Sequence, residues 1–449
     1  MTLVVKIKKT LIFSLFGIIL LMLVSSPQII QADSDIDAVA GQLIVEVKPG
    51  VLINDITQTY GISIIDTLKH RYHTFLVQVP EDRDLATLLS QMMADSRLVY
   101  VEPNLMADTP EAVRSKGWAW GGEDDQPYEN QYALTHVNLA TTHQHSQGAN
   151  IVVAIIDTGV QLDHPALSAQ LSDVQADFVD NDNLADDTAN GIDDDHDGQI
   201  DEATGHGTHI AGTIHLVAPQ ATLMPIRVLN SDGRGNIFDI AAGIRFAVAH
   251  KADVINLSLG TLVESELLEE VIEEAMESGV VVVAAAGNLG TSQAVYPAAD
   301  ACTISVTAIG PNNAKANFAN YGTWVDLAAP GETIYSTFPR NGYAHWSGTS
   351  MATPFVTGQI ALLRSYNPNL SVHQVESLLS DTAQSIASEN PGLDSLIGAG
   401  KIDIWGSMSE VMDDVPSTQG QNVDLDCSDQ EDEAVEENNE ENNEEDEED

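Results

Sequence analysis

Cysteine is nearly absent from this chain: Cys302 and Cys427 are the two in 449 residues. Two cysteines cannot build a disulfide framework. Cys427 also lies in an acidic stretch expected to be disordered, so no bridge between the two is expected. Stability must come from a buried core, for which 43% hydrophobic residues suffice, and a bound metal ion is the other available device. Positive charge is also scarce, with 18 Lys and Arg against 68 Asp and Glu for a formal net charge of −50. A field of that sign repels nucleic acid and anionic membrane surfaces, so neither is expected as a partner.

Long hydrophobic runs are missing, with one short exception. Leu11 to Val24 is apolar but shorter than the ~20 residues that span a bilayer, and Lys6, Lys8 and Lys9 precede it. This is the layout of a secretory signal peptide, residues 1–32, with cleavage after Ser26 or Ala32. No lipobox-type cysteine follows the run, and the C-terminus carries no LPxTG-like or apolar anchor. The expectation is an extracellular, monomeric protein without stable membrane association.

The segment 41–107 has the alternating elements of a small domain. GQLIVEVKPG predicts a strand ending in a Pro-Gly turn, HTFLVQVP a second strand and RLVYVEPN a third. INDITQTYG and DLATLLSQMMADS have helical spacing between them. The order strand, helix, strand, helix, strand predicts a small α+β sandwich. A linker, 108–126, rich in charge, Gly and Trp, follows.

Over 127–406 the pattern becomes βα repeated. NIVVAIID, TLMPIRVL, DVINLSLG, VVVVAAAGN and CTISVTAIG are continuous apolar runs, as in parallel strands covered on both faces. FDIAAGIRFAVAHK and ESELLEEVIEEAMESG are helical, the latter closed by Gly279. A further helix, SVHQVESLLSDTAQ, opens at Ser371 as N-cap. Alternating strands and amphipathic helices predict a doubly wound, mainly parallel sheet, with its ligand site beyond the carboxyl ends of the strands. Residues 407–449 become almost pure Asp, Glu and Asn and are read as a disordered, solubilising tail or spacer.

Three blocks carry the chemistry: IIDTGV, GHGTHIAG and GTSMATP, in the order Asp157, His206, Ser350. Each sets one reactive residue type beside glycines or small residues, where backbone bends sharply or approaches a substrate. Amide hydrolysis needs an activated nucleophile, a proton shuttle and a group that orients it, and these roles fall to Ser350, His206 and Asp157. Singly, each has a structural reading: N-cap, core histidine, strand-end turn. The joint order is the one found in subtilisin, and the segment resembles the subtilisin-like serine proteases, or subtilases.

That resemblance implies a secreted endopeptidase made as a self-processing zymogen, with no cofactor required for chemistry and protein or peptide substrates. It implies that Asn288, in AAAGN, supplies the side-chain donor of the oxyanion hole beside the backbone N–H of Ser350. It also implies that Ser258, Leu259 and Gly260 pair with an extended substrate, with Ala285, Ala286 and Gly287 forming the other wall of the S1 pocket. These small, uncharged residues favour an apolar P1 side chain, although the negative field attracts basic peptides. The segment 41–107, closing on YVEPN, resembles the family's inhibitory propeptide, which is ferredoxin-like and acts as an intramolecular inhibitor. A dedicated processing or macrocyclising subtilase is the alternative enzyme, and an inactive subtilase-fold binding protein the non-enzymatic one. Every triad residue and Asn288 are present, against the last.

The chain departs from the family in two places. After His206 it reads GTIHLVAP, without the longer loop that builds a tight calcium site in many subtilisins. Upstream there is an acidic insertion, DNDNLADDTANGIDDDHDGQIDEATG. Its Asp193, Asp195, Asp197, Gly198, Ile200 and Asp201 match an EF-hand-type calcium loop, with Thr204 in place of the bidentate glutamate. Structural calcium held by Asp193, Asp195, Asp197 and Asp201 is the expectation, and a solvated acidic loop the alternative.

Overall fold

The computed structural model describes residues 37–68, 73–112 and 119–413. The expected signal peptide, most of the acidic tail and part of the linker lie outside the described residues. The chain divides between Leu105 and Met106 into two compact units.

The first unit runs β1 (Ala38–Val47), α1 (Ile53–Tyr60), β2 (Ser63–Thr67), β3 (Thr74–Gln78), α2 (Leu85–Met93) and β4 (Leu98–Asp108). The last residues of β4, from Met106, belong to the second unit. Gly61 ends α1 by taking a left-handed conformation, φ 64°, that returns its N–H to Thr57. Asp84 opens α2 by accepting from the backbone N–H of Thr87. The strands form an antiparallel sheet in the order β2-β3-β1-β4, a ferredoxin-like βαββαβ arrangement. Alternate residues Leu43, Val45 and Val47 of β1 pack with Ile56, Leu88, Leu89 and Met92 of the helices. The sequence pattern predicts three strands here, and β2 is a fourth. Its SIIDT sits at the sheet edge with both isoleucines exposed, so it lacks the alternation that marks a half-buried strand.

The second unit begins with β5 (Trp120–Gly122), α3 (Gln126–Glu129), α4 (Tyr132–His136) and α5 (Leu139–Thr142). Then come β6 (Val152–Asp157), β7 (Ala176–Asp177), α6 (His206–Val217), β8 (Thr222–Arg227) and β9 (Arg234–Asn236). Next are α7 (Ile237–Ala249), β10 (Val254–Leu257), α8 (Glu266–Glu277), β11 (Val281–Ala285), β12 (Ile304–Ile309) and β13 (Leu327–Pro330). The hairpin β14 (Ile334–Phe338) and β15 (Gly342–Trp346) leads to α9 (Thr349–Tyr366), α10 (Val372–Thr382) and α11 (Ile404–Asp413).

Seven strands form a parallel sheet, β13-β12-β11-β10-β6-β8-β7. Both faces are covered, which is why its strands read as unbroken apolar runs. Val153 and Ile155 face the core shared with α6 and α9. Ile156 faces the other way, where the bare Cα of Gly243 lets α7 settle onto Ile156, Ile226 and Val228. The chain passes from β6 to β8 on one side and returns to β10 on the other. The sheet order therefore reverses beside β6, the point at which open α/β sheets place their ligands.

Two expectations are corrected. The catalytic segment does not end at 406: α11 continues to Asp413 and buries Met408 and Val411. Gly406 and two serines interrupt its apolar spacing, and the acidic run that follows hid its end. Cys302, expected to form no bridge, is disulfide-bonded.

Candidate active site

Asp157 is the last residue of β6 and His206 the first of α6. They are joined by a 2.7 Å hydrogen bond from His206 Nδ1 to Asp157 Oδ1, both side chains fully buried. The close approach needs a glycine after the histidine, because a Cβ on Gly207 would collide with Gly159 O and the Asp157 side chain. Asp157 Oδ1 also accepts from Thr158 N at 2.7 Å. The Trp346 ring stands edge-on to the imidazole, centroids 5.4 Å apart. Burial works against the imidazolium, but the Asp157 charge and hydrogen bond, with Glu111 at Nε2, outweigh it and raise the His206 pKa to about 10.

Asp187, which the sequence reading passed over, ties this corner together. It is fully buried and accepts from Gly205 N at 2.9 Å, Thr208 N at 3.2 Å and Thr208 Oγ1 at 2.6 Å. It thereby satisfies free N–H groups at the start of α6 and fixes the helix that presents His206. Burial raises its pKa to about 6 against these hydrogen bonds. His209 has the structural role that its position suggests. Its Nε2–H is shared between Ile334 O and Ala344 O, both at 3.1 Å, and burial with the His206 charge pushes its pKa down to about 3.

Ser350 lies in the first turn of α9, whose free N–H groups and dipole favour negative charge. Asn288 follows β11 and faces the same point. Its orientation is set by Thr349, whose backbone N and Oγ1 donate to Asn288 Oδ1 at 3.0 and 3.1 Å. The amide nitrogen is left as a donor on the opposite side. Thr349 Oγ1 in turn accepts from Gly287 N at 3.1 Å.

These groups converge on a residue absent from the sequence expectation. Glu111 Oε2 accepts from Ser350 Oγ at 2.7 Å and pairs with His206 Nε2 at 3.0 Å. Glu111 Oε1 accepts from Asn288 Nδ2 at 2.8 Å. A Cβ on Gly348 would collide with that oxygen, so this glycine makes the room.

Ser258, Leu259 and Gly260 continue the chain past β10, and Ala286 and Gly287 continue it past the neighbouring β11, which ends on Ala285. Gly260 exchanges two 3.0 Å backbone hydrogen bonds with Asp108. Met106–Asp108 pair antiparallel with β9 on the other side, and Thr109 N donates to Gly233 O at 2.9 Å. Residues 106–108 thus lie between β9 and the segment that holds Gly260. Ser258 Oγ points instead to the Ser350 carbonyl at 3.3 Å. Gly287 has φ +96°, and a Cβ there would crowd Asn320 and Val295.

In the acidic insertion, Asp193, Asp195 and Asp197 offer carboxylate oxygens within 4.8 Å of one another. Asp201 turns away, accepting from Asn190 N and Gly191 N. Glu202 is the unexpected neighbour. Both of its carboxylate oxygens are shielded and partnerless apart from its own backbone N–H. Burial, then the charges of Asp232, Asp195 and Asp197, push its pKa to about 7. Oxygen donors that repel one another suit a hard cation.

Comparison with known proteins places this geometry in a class. The subtilase family profile matches residues 148–400, and the profile of the fervidolysin N-terminal prodomain matches residues 25–104. Subtilisin BL of Lederbergia lenta is 38% identical over 269 residues, 58% of this chain and 93% of that protein. Thermitase of Thermoactinomyces vulgaris is 38% identical over 275 residues, 59% of this chain and 92% of that protein. Among solved structures, fervidolysin from Fervidobacterium pennivorans, described as a keratinolytic enzyme related to subtilisin, superposes with TM-score 0.71 at 25% identity. The match covers 87% of this chain and 63% of fervidolysin. The chain belongs to the subtilase family. It is a subtilisin-type serine endopeptidase that carries a fervidolysin-like prodomain, and the chemistry of its class needs no cofactor.

Proposed function

We propose that this chain is an exported, self-processing zymogen that cleaves peptide bonds with Ser350 as nucleophile, His206 as general base and then acid, and Asp157 as the residue that orients and stabilises the imidazolium. Asn288 Nδ2 and the Ser350 N–H would stabilise the tetrahedral oxyanion. The observation that carries this reading is the convergence of Ser350 Oγ, His206 Nε2 and Asn288 Nδ2 on one carboxylate, with Asp157 bonded behind the histidine. Oγ passes its proton to Nε2 as it attacks the scissile carbonyl carbon, and the imidazolium returns that proton to the leaving amine. Water then repeats the sequence on the acyl-enzyme. Expression of the full chain beside Ser350→Ala tests it: the wild type should lose its prodomain and the variant should remain a precursor, whereas equal processing of both would refute self-maturation.

Substrates are proteins or peptides bound as a strand against Ser258, Leu259 and Gly260, and the chain's own prodomain is the intramolecular inhibitor. The uncharged Ala285, Ala286 and Gly287 support an apolar P1 residue. Residues 41–107 act as propeptide, with maturation in the 108–126 linker and a signal peptide over 1–32 directing export. Among the described residues no helix is long and apolar enough to cross a membrane. Asp193, Asp195 and Asp197 are proposed as calcium ligands with Glu202 beside them, the ion fastening a loop that ends before His206. EDTA should then lower the melting temperature by several degrees, and Asp195→Asn should abolish the response. Identical melting with EDTA and with calcium would exclude the site.

A further inference from the structure

Resting on that assignment of the triad, we infer that Glu111 is a built-in product mimic: a side-chain carboxylate, set at the end of a strand in the substrate cleft, that fills the oxyanion site and holds the precursor latent. Hydrolysis of a peptide leaves a carboxylate with one oxygen toward the oxyanion donors and the other between serine and histidine. Glu111 reproduces that pattern, Oε1 on Asn288 Nδ2 and Oε2 on Ser350 Oγ and His206 Nε2. The carboxylate is an anion whose carbon has no leaving group but oxide, so attack by Ser350 leads nowhere.

The backbone explains why a side chain is offered in place of a peptide bond. Pairing with Gly260 and Gly233 ends at Thr109, and Pro110 has no N–H with which to extend it. Thr109 O then accepts from Ala112 N at 3.1 Å, closing a turn with Pro110 at its second position, where proline is favoured. The main chain turns at the site and Glu111 projects into it. The residue is buried, and its charge-assisted hydrogen bonds are of the strong kind.

The test compares full-length wild type, Glu111→Gln and Glu111→Ala, following prodomain loss with time and labelling of the intact precursor by a serine-directed fluorophosphonate. Both variants should self-process and label about tenfold faster or more, with rates independent of protein concentration. The isosteric Gln variant guards against a packing defect in the Ala variant. Labelling of Ser350 at equal or slower rates in both variants would overturn the product mimic and leave the triad standing. Acceleration in Glu111→Ala alone would rule out the carboxylate as the active feature. No labelling in any of the three would defeat the triad assignment and this inference with it.

Discussion

Thr349 shows how much of this site depends on residues that act by holding others in place. Asn288 can serve as a donor only if its amide faces the right way, and Thr349 holds its oxygen from behind with a backbone N–H and a hydroxyl. Thr349→Ala removes the hydroxyl, together with the γ-methyl, and leaves the backbone N–H bond in place. With a net worth of about 1 kcal/mol for such a bond, kcat should fall roughly three- to tenfold, KM should change little, and Thr349→Ser should restore the rate. A parallel rise in KM would point to a general structural defect. Asp157, His206 and Ser350 stand out in the sequence because their motifs are specific, Asn288 is proposed through the family resemblance, and the structure brings the four side chains together around Glu111. Glu111, a single acidic residue in a linker, gives no periodic or motif signal. Asp187 and Glu202 were hidden for another reason: an insertion rich in carboxylates does not reveal which of them have oxygens shielded from solvent.

At the level of elements, the five central strands of the parallel sheet (β6, β8, β10, β11 and β12), α7, α8 and α10 were legible because burial on two faces or one leaves a clear apolar period. Ser371 opens α10 as the expected N-cap, and Gln374 completes a capping box with it. Among the elements missed are β2, short and exposed, the sheet-edge strands β7 and β13, the hairpin β14–β15, and α11, whose helical spacing is short and runs into charge. α11 nonetheless belongs to the core, since Met408 is fully buried. Met408→Ala should therefore destabilise the second unit by about 2–5 kcal/mol, measured by urea unfolding in the Ser350→Ala background to prevent self-digestion. A change below about 0.5 kcal/mol would mean that the helix is only a surface appendage.

For the whole molecule, a formal charge of −50 is joined by half-buried carboxylates of raised pKa, so the dependence of stability on pH should run against the usual acid weakness. Burial, then the charges of Glu269 and Glu264, raise Asp300 to about 8, and burial, then Asp326, raises Glu376 to about 7. A carboxyl with a raised folded pKa contributes stability below its unfolded value, near 4, and loses it progressively as pH rises to the folded value. His206 acts in the same direction, its contribution being lost as pH rises toward about 10. Buried neutral histidines oppose this only below about pH 6.5, where the unfolded chain would take up their protons; His209 is the strongest case. The melting temperature of the Ser350→Ala full chain should therefore be higher at pH 6.5 than at pH 8.5. A flat or opposite trend would show that these carboxyls are solvated.

The central claim is that Ser350 is the nucleophile of a subtilase centre built from Asp157, His206 and Asn288. Labelling the processed protein with a fluorophosphonate, followed by peptide mapping, tests it most directly. The account predicts one adduct, on the peptide containing GTSMATP at Ser350, and none in Ser350→Ala. An adduct on another serine, or active protein that takes up no label, would contradict it.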